Sequence, residues 1–93
     1  MARYLTLIRF TDQGVRNLRK STARALAFRK AAGKSGVTVE TQFWTTGSYD
    51  GVLVLSGEEN KILRCIAQLA TLGNVRTESL PALDSTEFKE ITG

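Results

Sequence analysis

Along the chain the hydrophobic positions change period several times, and each change marks an element. From Arg3 to Phe10 both parities are apolar, with Leu5 and Leu7 on one and Tyr4, Ile8 and Phe10 on the other. A strand apolar on two faces belongs at the centre of a sheet, or has its open face covered. Thr11-Asp12 follows as a helix start. Between Asp12 and Lys34 the period turns helical. At about 100° per residue, Arg16, Lys20, Arg24 and Lys34 share an arc, while Val15, Leu18, Ala25, Leu26, Phe28 and Ala32 fall opposite, as in a surface helix laid on a sheet. Ser21-Thr22 offers a second cap inside this segment, so it reads as one helix or as two pieces with a kink. Gly33 and Gly36 supply its stop.

Val37 to Thr45 alternates as a half-buried edge strand, with Val37, Val39, Thr41 and Phe43 on one parity. Thr46-Gly47-Ser48-Tyr49 is a turn, and the apolar run Val52 to Leu55 is a central strand. Ser56 and Glu59 have the spacing of a capping box for a second long helix. Its apolar face holds Ile62, Cys65, Ile66 and Leu69, and Gly73-Asn74 ends it. Val75 to Leu80 is the last strand, stopped by Pro81. Asp84 and Glu87 form another capping box, opening a short tail helix with Phe88 and Ile91 turned inward.

The order is strand, helix, strand, strand, helix, strand, then a tail helix. One domain over residues 1–93 accounts for it: an α+β, ferredoxin-like βαββαβ fold. Right-handed crossovers place both helices on one face of a four-stranded antiparallel sheet. The central strands are nonetheless apolar on both parities, Val52 and Val54 against Leu53 and Leu55. An open apolar patch of several hundred Å² is unusual on a monomer. The expectation is self-association, a homodimer packed sheet to sheet or a larger ring.

Composition narrows the chemistry. The chain has no histidine, which removes the usual general base, the commonest zinc ligand and every His-activated nucleophile. Cys65 is alone, so neither an intramolecular disulfide nor a Cys-rich metal site is expected. No apolar run approaches the roughly 20 residues of a membrane span. The opening MARYLTLIRF reads as a strand rather than a signal peptide, and a cytoplasmic protein is the expectation. Residues 1–46 carry nine Lys/Arg against two acids, and residues 47–93 four against seven. The net charge of +4 therefore hides one basic helical region, Arg16 to Lys34. A solvated outer face explains that region, and no aromatic pair of an RNA-binding sheet accompanies it, so a nucleic-acid partner is not expected.

Three blocks carry a resemblance. Gly47-Ser48-Tyr49-Asp50 resembles the Gly-x-Tyr-Asp signature of the GYD domain family, and lies between the second and third strands as it does there. Phe10-Thr11-Asp12-Gln13-Gly14-Val15-Arg16-Asn17 resembles the segment leaving that family's first strand. Leu72-Gly73-Asn74-Val75-Arg76-Thr77-Glu78 resembles its Gly-Asn-Val-Arg-Thr-Glu block. Where the family often has a proline near Ser21-Thr22, this chain has Thr22 and Ala23. The resemblance implies a ferredoxin-like, self-associating domain of the dimeric α/β-barrel type, with no assigned reaction and no cofactor.

Candidate ligand-binding residues are Tyr49, Asp50, Arg9, Trp44, Arg76 and Glu78. Tyr49 and Asp50 could donate to and accept from a small polar ligand, or pack and brace the turn. Arg9 and Arg76 could grip a carboxylate or phosphate, or one of them could pair with Glu78 to close a subunit interface. Trp44 is an edge-strand anchor or a substrate platform. Cys65 falls in an apolar arc, as a buried inert thiol does. Asp84, Glu87 and Glu90 are acidic neighbours, but capping accounts for the first two. The expected function is a small, non-catalytic oligomeric module that binds a small molecule at or near its subunit interface. The alternative is a cofactor-independent isomerase or monooxygenase, with Tyr49 and Asp50 lining its pocket beside Arg9 or Trp44.

Overall fold

A computed structural model describes all 93 residues, Met1–Gly93. The strands are β1 (Ala2–Phe10), β2 (Thr38–Trp44), β3 (Gly51–Gly57) and β4 (Val75–Pro81). Helices α1 (Asp12–Arg16) and α2 (Ser21–Lys34) lie between β1 and β2, α3 (Glu59–Thr71) between β3 and β4, and α4 (Ser85–Thr92) at the end. The sheet is antiparallel throughout, in the order β2-β3-β1-β4. This is the α+β ferredoxin-like fold with its main helices on one sheet face, and the two strands apolar on both parities, β1 and β3, hold its centre.

Register assigns the paired strand residues to faces, and a bulge at Glu40 breaks the single parity expected of β2, leaving Val39 on the helix side and Thr41 and Phe43 on the other. Tyr4, Thr6 and Ile8 of β1 stand opposite Leu55, Leu53 and Gly51 of β3, under the helices. Leu53, Leu55 and Val39 meet Ile62 and Cys65 of α3 and Ala32 of α2 in the core. Thr6 is a buried polar residue there, satisfied by a 3.0 Å hydrogen bond with the hydroxyl of Ser79. Leu5, Leu7, Val52 and Val54 lie on the other face, bordered by Phe43 of β2 and Leu80 of β4. Only 12 of 93 residues are buried, and none of them lies on that helix-free face.

Several local expectations are corrected. Of the two forms open for Asp12 to Lys34 the broken one is found, and the corrections concern its phase and its cap. Asn17 leaves helical geometry at φ −108°, ψ 28°, and a short 3₁₀ turn over Leu18–Lys20 precedes α2. A 3₁₀ turn advances each residue further than an α-helix does, so a single wheel drawn through it loses phase. Val15, Leu18 and Leu26, expected inward, are accordingly exposed. The new helix is not capped by Ser21 or Thr22 side chains; Lys20 holds the cap position without a side-chain bond. Ser56 and Glu59 form no capping box, because β3 runs on through Ser56 to Gly57 and α3 is entered from Glu58. At the tail the Asp84–Glu87 box is present in full, yet Phe88 and Ile91 are 57% and 69% exposed, so α4 does not bury them as expected. No helix is long and apolar enough to cross a membrane.

Candidate functional site

The three blocks that carry the family resemblance converge at the C-terminal end of β1. Thr11 donates its backbone N–H to Asn74 O at 3.1 Å and its hydroxyl to Gly73 O at 2.6 Å. The Gln13 amide donates to Leu72 O and to Asn74 Oδ1, both at 3.0 Å. A Cβ on Gly14 would overlap the Asn74 carbonyl oxygen, so only glycine admits this approach. From the other side the Asp50 carboxylate accepts the Phe10 N–H at 2.8 Å, and Asp50 N–H donates to Ile8 O at 2.7 Å. Gly47, at φ 143°, allows the turn that returns the chain to this point. The blocks interlock through main-chain groups, which is structural work.

The six candidate residues divide into two groups. On the helix-free side the Arg9 guanidinium lies over the Tyr49 ring, 4.5 Å from its centroid, and Arg9 Nε donates to Ser48 O at 3.0 Å. Tyr49 Oη donates to Glu78 Oε1 at 2.9 Å. Arg76 stands opposite Arg9 in the β1–β4 register, and neither arginine forms an ion pair with Glu78 within the chain. Beside this group an open depression is lined by Leu7, Tyr49 and Val52.

Trp44 and Asp50 border a different space. Helix α2 packs on β2, and α3 on β3 and β4, with little contact between the two helices. Their separation opens a cleft of about 430 Å³ over the sheet, within the range of small-molecule sites. Ile8 and Leu53 form its floor, Phe10, Phe28 and Trp44 its aromatic walls. Trp44 Nε1 donates to Ser21 Oγ at 3.0 Å, joining the end of β2 to the start of α2. Arg24 also lines the cleft, and sequence reasoning missed it by placing it with the solvated cations of the basic arc. Its Nη1 donates to Asn17 O at 2.7 Å, while Nη2 is buried without any partner. A buried donor left unpaired is costly, so Arg24 stands out among the residues that line the cleft.

Other ionisable groups are accounted for by local contacts. Arg3 pairs with Glu87 at 2.9 Å and with Glu40 at 3.6 Å, tying β1 to α4 and to the bulged part of β2. The Asp84 backbone N–H, and after it the Arg3 guanidinium, hold the Glu87 carboxyl below its ordinary value. Hydrogen bonding to Glu59 raises the Tyr4 phenol, whose Oη donates to that carboxylate at 2.7 Å. Burial pushes the Cys65 thiol up, with Arg64 opposing weakly. No three Cys, Asp or Glu side chains gather at metal-binding spacing.

Known proteins bear on both the family and the fold. The model of the GYD domain family matches residues 4–92. The crystal structure of TTHA0845 from Thermus thermophilus is similar at a TM-score of 0.56 and 24% identity, over 91% of this chain and 96% of that one. At that identity the likeness concerns the fold. No curated protein matches the chain.

Proposed function

The chain belongs to the GYD domain family, and on that premise we propose that it is a self-associating, non-catalytic module that binds a small molecule. The observation that carries the first half is the helix-free face. Leu5, Leu7, Val52 and Val54 line it, and Phe43 at its edge is 61% exposed. A second copy placed sheet to sheet would bury this patch along with Leu80. Exposed Phe88 and Ile91 of α4 add apolar surface that a partner could cover. Arg9, Tyr49, Arg76 and Glu78 share the same face, where they would stand at the rim of such an interface. A cytoplasmic setting fits this reading, since the one cysteine is a free buried thiol.

Sedimentation velocity tests it. The expected result is a species at a multiple of the 10.2 kDa chain mass, reduced to the single chain by Val52→Glu with the circular-dichroism spectrum retained. A single-chain mass for the unaltered protein at micromolar concentration would sink the proposal. The cofactor-independent enzyme has a cavity in its favour but not the convergence it needs: Asp50 borders the cleft, whereas Tyr49 and Arg9 do not.

A further inference from the structure

We infer that the cleft between α2 and α3 is the ligand site, and that it takes a flat aromatic body bearing a single carboxylate, with Arg24 as the group that receives the carboxylate. This rests on the binding half of the reading above and specifies it. It is independent of the self-associating half, because one chain builds every wall of the cleft.

The size and walls set the body of the ligand. The cleft measures about 430 Å³, and 14 of its 22 lining residues are hydrophobic. Phe10, Phe28 and Trp44 offer ring faces and edges, which favour an aromatic guest over a polar one. Ile8 and Leu53 close the floor, so a ligand there exchanges water for apolar contact.

The polar groups set its head. Arg24 is the only cation lining the cleft, and its Nη2 is buried with no acceptor in the chain, so turning the guanidinium about its Nη1 bond would bring that donor to a guest. Nη1 is already committed to Asn17 O, which tethers the guanidinium beside the cleft. A carboxylate provides the missing acceptor and balances the guanidinium charge. Asp50 lines the same cleft, so the lining residues carry one positive and one negative charge. That balance disfavours a dianion such as a phosphate monoester, so a monoanion is specified.

Trp44 is the only tryptophan, so its emission reports on the cleft directly. The probes are phenylbutanoate, the uncharged phenylbutanol and phenyl phosphate, titrated by Trp44 fluorescence and by calorimetry. Phenylbutanoate is expected to saturate the signal, and the alcohol to bind about tenfold more weakly, the scale of one charged hydrogen bond. Arg24→Gln should remove that difference between acid and alcohol. Ala31→Phe, a filling substitution at an exposed wall position of α2, should abolish binding of both. Absence of saturable phenylbutanoate binding would overturn the inference, as would equal binding by Arg24→Gln or tighter binding of phenyl phosphate. The Val52→Glu chain should bind phenylbutanoate unchanged. Sedimentation of the same samples then separates a failed ligand site from failed self-association.

Discussion

The carbonyl oxygen of Asn74 stands where a Cβ on Gly14 would have to be. Gly14 lies in the first turn after β1 and Asn74 just before β4, so this approach seats α1 against the start of the last strand. The neighbouring bonds from Thr11 and Gln13 to the same loop fix it in place. Gly14→Ala is therefore expected to lose about 1–3 kcal/mol, the usual cost of overpacking a tight site. Denaturant unfolding measures it, and an unchanged midpoint would show that the contact yields freely.

Asp50 acts on the same end of β1 from the other side, through the 2.8 Å bond it accepts from Phe10 N–H. Asp50→Ala leaves that donor without its acceptor and should cost about 1.5–3 kcal/mol, the range for a hydrogen bond to a charged group. Asp50→Asn keeps an acceptor oxygen and should cost less. Equal losses in the two variants would mean that the carboxylate charge, rather than the bond, is what matters there.

Acid should loosen the tail helix first. Folding lowers the Glu87 carboxyl below its ordinary value of 4.5. A group lowered by folding stabilises the folded form above its unfolded value, and that contribution fades as pH falls through the folded one. The melting temperature should thus lose nothing through Glu87 between neutral pH and about 4.5, and decline below it. Arg3 and Glu87 are open to solvent, so the effect is small and weakens with salt. Glu87→Gln should flatten the decline; an identical pH profile for the variant would exclude Glu87 as its source.

Cys65 should be protected by the fold. It is buried between α3 and the sheet, and burial raises its thiol, so little thiolate is both formed and accessible. A thiol-reactive disulfide reagent at mildly alkaline pH should modify it slowly in the native chain and promptly in denaturant. Rapid native labelling would show that the reagent reaches the thiol through the cleft that Cys65 lines, or that α3 lifts from the sheet.

The elements were legible wherever the period of the side chains matched one regular structure. β1 and β3, apolar on both parities, were readable as central strands, and Asp84 with Glu87 announced α4 by a spacing that has few other uses. Ser56 and Glu59 have an equivalent spacing and cap nothing, because strand pairing with Arg3 and Thr38 claims Ser56 first. The break after Arg16 was signalled only weakly, since Asn17 is compatible with a helix and its departure is stabilised by Arg24, seven residues away. The candidate site was harder to read. Trp44 and Asp50 were legible as polar-tipped residues near a turn, but which face each one borders depends on the bend of the chain at Asp50. Arg24 was legible only as one cation among seven. Its distinction comes from the gap between α2 and α3, which no local pattern encodes.

Alternation in β3 has a consequence for how this family can vary. Leu53 and Leu55 belong to the side with the cleft, Val52 and Val54 to the side without helices. Adjacent codons thus answer to separate selective demands, and a substitution at one position leaves the surface served by its neighbour untouched. Descendants of one ancestral gene can diverge in what the cleft accommodates while the opposite surface is conserved, or the reverse, with no insertion or rearrangement of the chain.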